Sequence, residues 1–359
     1  MKRINYLVFV LAVFTGISCN SRSGDQKQAA EITFIENSAD KKIDVLVDGQ
    51  LFTTFQWPEN VTKPIFYPIL TSERTEITRG FPLNPKAGER ADHPHQIGMW
   101  LTYGNVNGLD FWGNGSKGLG TRNANGGVIK HLEIKNVKEE TGERSFETTE
   151  SWVDTSEVEL LREVTEFHFS AKENIRIIDR KTILTAGEKA VNLPDTKEGM
   201  FGIRVARQLE LPTVGNVVLY NEDGTTSRVK DTLNIGISGN YLSSEGITGE
   251  EVWGKRARWM HLSGNIEDEK ISLVICDHPE NPNYPTYWHA RTYGLFAANP
   301  LGVKDFTNEK DSLNFSISPG QSVTFSYRVV VASGEHLLAE KIDELSDEFG
   351  APRGVCKYK

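Results

Sequence analysis

The chain has 359 residues, with 49 Asp and Glu against 40 Lys and Arg, a formal net charge of −9. That balance, with no basic run and no interleaving of basic and aromatic residues, excludes nucleic acid as an expected partner. Three cysteines are too few for a disulfide framework.

In chain order the first signal is a leader. Lys2 and Arg3 precede an apolar run over residues 6–14, followed by Gly16-Ile17-Ser18-Cys19. A basic start, a short apolar stretch and small residues before a cleavage point mark a secretory signal. The run is too short to span a bilayer as a stable helix. The pattern resembles a bacterial lipobox, with Gly16 standing where Leu or Val is usual. Residues 1–18 are therefore expected to be a lipoprotein signal peptide, Cys19 the acylated residue, and 19–30 a flexible polar tether. Asn20 rather than Asp follows Cys19. The expected location is the cell envelope, lipid-anchored at the outer membrane and facing the periplasm.

Residues 31–359 read as one β-sandwich domain. Residues 43–47 and 51–55 alternate and flank Asp48-Gly49, a strong hairpin signal. Alternation returns at 145–152, 158–169 and 174–184, then at 201–205, 271–276, 313–317 and 323–331. Gly, Asn, Asp and Pro punctuate these runs. The predicted fold is mostly β, a large antiparallel β-sandwich resembling the supersandwich of galactose-mutarotase-like proteins. Leu337, Leu338, Ile342, Leu345 and Phe349 predict one C-terminal helix, packed on the outside of the sandwich. Cys276 sits in an apolar run and reads as a buried thiol. It and Cys356 are the cysteines that remain after Cys19.

Four clusters place ionisable and aromatic residues where Gly, Asn and Ser would suffice for turns. The first is Asp92, His93 and His95, with Asn107, Asp110 and Trp112. In extended backbone, residues i and i+2 share a face, so the two imidazoles should converge across Pro94. The second is Lys197 and Glu198, leading into a strand with Arg204. Glu198 suits an acid or base, because an aromatic pocket raises a carboxyl pKa. Arg204 interrupts apolar alternation and needs a carboxylate or an anionic ligand. The third is Lys255 and Arg256 between Trp253 and Trp259. The fourth is Asp277-His278-Pro279 with Tyr287, Trp288, His289 and Arg291. Of Trp100, Trp112, Trp259 and Trp288, one or two are expected to face a ligand, the rest to fill the core. His131, His168, His261 and His336 lie outside these clusters and are expected to be structural.

Three functional classes fit these residues. A carbohydrate-active hydrolase or lyase would use His93, His95, Glu198 and His289 as acid and base. Asp92, Asn107, Asp110, Trp112, Lys197, Arg204, Lys255, Arg256, His278, Tyr287 and Arg291 would then contact substrate. A non-catalytic sugar-binding lipoprotein would use the same aromatics without turnover. A metal enzyme would hold a divalent ion on His93 and His95, with His289 or His278 as third ligand. The density of ionisable residues favours the first, which calls for no cofactor. The expected partners are a carbohydrate or other small molecule, and the membrane through a lipid anchor only.

Several longer motifs also bear on the family. Thr78-Arg-Gly-Phe-Pro82, Asp92-His-Pro-His95, Asn105-Val-Asn-Gly-Leu-Asp-Phe-Trp112, Asp195-Thr-Lys-Glu-Gly199, Trp253-Gly-Lys-Arg-Ala257, Asp277-His-Pro279 and Tyr293-Gly-Leu-Phe-Ala-Ala-Asn-Pro300 occur in that order. Together they resemble the bacterial family labelled PmoA, over nearly everything from Pro64 to Val331. Members of that family carry a further histidine where this chain has Gln96, so a role for three histidines in a row is not implied here. The label implies no activity. A methane oxygenase subunit is an integral membrane protein, whereas this chain shows no run of spanning length after its leader. The resemblance implies a fold and a pocket.

Overall fold

A computed structural model of the protein describes residues 30–139 and 144–351. The expected signal peptide over residues 1–18, Cys19 and Cys356 lie outside the described residues. The fold is mostly β, and its strand pairs are antiparallel. Two sheets of eight strands face each other. The first runs, in sheet order, Ile32–Asn37, Lys42–Val47, Gln50–Gln56, Ile65–Ile69, Met99–Tyr103, Gly199–Arg204, Leu295–Asn299 and Tyr287–Ala290. The second runs Asn240–Ser243, Trp259–Ile266, Glu269–Asp277, Ser322–Gly334, Ile175–Ala186, Glu159–Lys172, Ser145–Val153 and Val128–Lys138. Two short ribbons, Val191–Leu193 with Phe315–Ile317 and Gly215–Tyr220 with Thr226–Asp231, lie outside them.

Alternation decides which side chains meet between the sheets. Met99, Leu101, Tyr103, Phe201, Ile203 and Phe296 point inward from the first sheet and join Phe167, Leu184, Leu273 and Tyr327 of the second in one buried cluster. Phe201 stacks on Tyr327 with ring centroids 4.8 Å apart, and Phe66 meets Phe167 edge-on at 4.9 Å. The Asp48-Gly49 hairpin forms as expected, with φ of 51° and 72° at its two turn residues. Both angles positive is the turn whose twist suits a two-residue hairpin.

The Ser322–Gly334 strand is buried along almost its whole length rather than on alternate residues. Its inner side meets the sandwich core. Its outer side, with Trp259, Val274 and Cys276, lies under the Ala339–Gly350 helix through Ile342 and Leu345. A strand covered on both faces needs no alternation. Cys276 is a free buried thiol, and burial pushes its pKa up to about 12. Leu338, one of the five stripe residues, precedes the helix and is exposed.

Candidate functional site

The outer face of the first sheet carries the site. Trp100 pairs with Gly202, Gly202 with Ala297, and Ala297 with His289, so these four stand in one row across four strands. Trp100, Trp112, Leu295 and Ala297 belong to a second buried cluster, separate from the inter-sheet core. Gly202 and Ala297 are small because the indoles lie over them. A Cβ on Gly202 would sit 3.0 Å from Trp100 Cζ2 and 3.1 Å from Trp112 Cη2. The two indoles, 5.2 Å apart and 0% and 1% exposed, form a buried floor layer covered by protein. Both indole N–H groups are buried without a hydrogen-bond partner among the described residues. With Trp259 and Trp288 also buried, none of the four tryptophans faces open space, against the expectation that one or two would.

Eight residues form a rim beside this floor, joined by contacts from Lys63 to Arg291 and by charge alone among His289, Glu198 and Asp110. Buried Lys63 donates from Nζ to the His95 carbonyl at 2.7 Å. The His95 and His93 rings meet edge-on at 5.7 Å, and His93 stacks on Tyr293 at 5.1 Å, 6° from parallel. The Arg291 guanidinium lies 5.8 Å from the Tyr293 ring. Arg291 and Glu198 both act on His289 electrostatically, Glu198 on Asp110, and Asp110 on Lys63.

The histidine loop departs from the expected extended backbone. Residues 91–98 form no strand, with a turn at Pro94 and His95. His93 has φ of 43°, a conformation uncommon outside glycine, and the Gln96 N–H donates to the His93 carbonyl at 2.9 Å. The two imidazoles therefore meet through a turn rather than through the pleat of a strand. Arg79 holds that turn. Its buried guanidinium donates to the carbonyls of Arg90, Asp92, His93 and Gln96 and to Asp92 Oδ1 at 2.9 Å. Arg204, fully buried, donates to Asp92 Oδ1 and Gln96 Oε1, each at 2.6 Å. It thus finds a carboxylate, as a buried arginine must. Burial works against ionised Asp92, but Arg204, His93 and Arg79 together hold its carboxyl well below the usual range.

Protonation states follow from burial. Burial lowers Lys63 to about 7, against the pull of Asp110. Burial, then the charges of Lys63 and His93, push His95 down to about 2, and its Nδ1 has no partner among the described residues. Burial lowers His289 to about 4, with Glu198 opposing. The Asp110 carboxyl is raised, first by burial, with Glu198 adding to it and the Gly113 amide opposing. Both rim imidazoles of His95 and His289 are neutral near pH 7.

Of the residues singled out in the sequence, His93, His95, Asp110, Glu198, His289 and Arg291 stand on the rim. Asp92, Trp112 and Arg204 lie beneath it. Lys197 flanks it, ion-paired to Glu198 at 2.7 Å. The others lie elsewhere. Asn107 bonds to the backbone of Ala190 and Asn192. Lys255 is exposed. Arg256 donates to the Pro285 and Asn283 carbonyls and covers Tyr287, which stacks on Phe306. His278 packs against Phe349 beside the C-terminal helix, so it does not join His93 and His95. Among the described residues no three His, Cys, Asp or Glu gather as a metal-holding set.

Trp259 and Trp288 bury their indoles elsewhere and satisfy them with Asp343 and the Ala257 carbonyl. Lys63, Arg79, Tyr293 and Trp253 were not read as site residues. Arg79, Tyr293 and Trp253 lie inside motifs quoted above, which was the available signal. His131, expected to be structural, faces Glu150 at 3.1 Å in the core. A cleft of about 680 Å³ beside the C-terminal helix and one of about 500 Å³ at Glu76, Glu89 and Arg207 contain no rim residue.

The chain belongs to the family of unknown function DUF6807, which matches residues 42–347. The PmoA label does not occur in that description. No curated protein matches the sequence. Among solved structures, the chain is similar to the galactosidase domain of the α-galactosidase–sucrose kinase AgaSK, at TM-score 0.38 and 11% identity over 84% of this chain and 42% of that one. It therefore spans 42% of that protein's length. It is also similar to the Slr1438 protein of Synechocystis sp. PCC 6803, at TM-score 0.32 and 10% identity over 84% and 96% of the two chains. A putative aldose 1-epimerase from Escherichia coli follows at 0.33 and 8% over 84% and 99%. Likeness at this level says nothing of residues or chemistry.

Proposed function

We propose that this chain acts on a carbohydrate by acid/base chemistry, as a hydrolase or lyase, with the bowl on the first sheet as its active site and His289 as the proton acceptor. One observation carries the reading. His289 Nδ1 lies 2.7 Å from the Lys197 carbonyl. A carbonyl only accepts, so Nδ1 holds the proton and Nε2 keeps its lone pair. Nε2 has no hydrogen-bond partner among the described residues. A neutral, oriented imidazole with one unused nitrogen is what a general base requires. Glu198, beside it, supplies a second proton carrier.

His289→Asn keeps an N–H at the Nδ1 position for the Lys197 carbonyl but removes the base. On glycosides and uronides it should lose about 10²–10⁴-fold in turnover with substrate affinity held within a few fold. Unchanged turnover would place the base elsewhere. Saturable binding without turnover in the unaltered protein would make the bowl a sugar-binding module.

The leader supports a second proposal, that Cys19 is acylated and tethers the domain to the cell envelope. Cys19→Ser should move the protein from the membrane fraction to the soluble one. A variant that still pellets with membranes would rule out that anchor.

A further inference from the structure

We infer that Arg291 is a carboxylate subsite, and that the bowl takes an acidic sugar such as a uronic acid rather than a neutral one. The sugar ring in this statement rests on the reading above. The charge rests on Arg291 itself.

Arg291 opens the tight turn between the strands Tyr287–Ala290 and Leu295–Asn299. Its N–H donates to the Leu295 carbonyl at 2.7 Å, and its own carbonyl accepts from Gly294 at 3.1 Å. The Tyr241 hydroxyl contacts the same carbonyl at 3.4 Å from below. The backbone is thus fixed before any ligand arrives. The guanidinium is held by its faces. Its Cζ lies 5.6 Å from the Trp253 ring and 5.8 Å from the Tyr293 ring. Aromatic faces bind the delocalised charge but use none of the in-plane N–H donors. Among the described residues, no hydrogen bond or ion pair reaches this guanidinium.

The other cations of the bowl are already answered. Arg79 and Arg204 share Asp92. Lys197 is paired with Glu198. Lys63 donates to the His95 carbonyl, with Asp110 as its nearby charge. Arg291 is left with a pre-oriented fork of donors beside the His289 base. That fork matches a carboxylate, which it can bind through two parallel hydrogen bonds. A neutral sugar hydroxyl would use one donor and leave the charge unanswered.

The test is calorimetric titration of the whole protein with D-glucuronate and D-galacturonate, with D-glucose and D-galactose as neutral counterparts and inorganic phosphate as an anion control. The acids should bind at least about tenfold more tightly than the neutral sugars. Arg291→Gln should lower acid affinity about 10–100-fold and leave the neutral sugars unchanged. Arg291→Lys should recover only part, because an ammonium is a point charge without the fork. Thermal melting of each variant checks that the fold is kept. Equal binding of acid and neutral sugars, indifference to Arg291→Gln, or phosphate binding in place of the sugar acids would overturn the inference. The two readings fail separately. Arg291-dependent acid binding with no turnover sinks the enzyme and keeps the subsite. Turnover of neutral glycosides that ignores Arg291 does the reverse.

Discussion

The His289 ring loses water on most sides and keeps one fixed hydrogen bond, to the Lys197 carbonyl. Burial therefore lowers its pKa to about 4. A base acts only when unprotonated, so its activity is present above that value and lost as pH falls through it. The acid limb of the kcat/KM profile should lie near pH 4, not near the 6.5 of a solvated histidine. Glu198 favours the protonated ring, so Glu198→Gln should move the limb to lower pH still. A limb that stays near 6.5 would assign the base to a solvated group. At this scale, sequence showed the residues whose type was out of place in its run. Arg204 among apolar strand residues is one, and His93 and His95 are others. It did not show Lys63 or Arg79, because their partners are mostly backbone carbonyls, and carbonyls carry no residue identity. Trp253 gained its place only through Arg291, a contact across 38 positions that no local pattern encodes.

At the scale of elements, the floor depends on one absent side chain. Gly202 has no positive φ to explain it. Its role is clearance under Trp100 and Trp112. Gly202→Val should lift both indoles and cost about 1–3 kcal/mol by overpacking. Chemical denaturation and tryptophan fluorescence check this. Wild-type stability in that variant would mean the indoles do not pack against Gly202 as described. Strands with one wet face were legible, as in the Asp48-Gly49 hairpin and Glu159–Lys172. Those around the site were less so. Leu295–Asn299 reads Leu-Phe-Ala-Ala-Asn, since Ala297 must be small beneath the indoles and Ala298 faces the core. Ile65–Ile69 carries Pro68, which argues against a strand. The histidine loop was read as extended because periodicity cannot report a turn held by a distant arginine.

For the whole molecule, burial of titratable groups sets how stability depends on pH. Burial lowers His131, His261 and His289 to about 4 and His95 to about 2. As pH falls below about 6.5, the unfolded chain protonates these four rings and the folded chain does not. Stability that depends on their neutrality is present above 6.5 and lost toward pH 4. Four carboxyls raised by burial, Asp110, Glu150, Glu210 and Asp277, oppose this, Asp277 and Glu150 most strongly. Burial raises Asp277 to about 7, and burial with the Glu163 charge raises Glu150 well above its ordinary value. Each holds a proton in the fold that it lacks unfolded, which favours the fold as pH drops. The four imidazoles outweigh the two strongly raised carboxyls, so near pH 5 the unfolded state binds more protons, by two at most. Stability should therefore fall as pH drops around 5, by at most about 2–3 kcal/mol per pH unit. Below pH 4 the strongly lowered Asp92 extends the loss, because its ion pairs vanish on protonation. Guanidinium denaturation at pH 7, 6 and 5 measures the slope. His131→Gln with His261→Gln removes two of the four rings far from the bowl and should leave it nearly flat. If stability rises instead as unaltered protein is acidified, the buried carboxyls outweigh the histidines. If the double variant keeps the full slope, those two rings are already protonated in the fold.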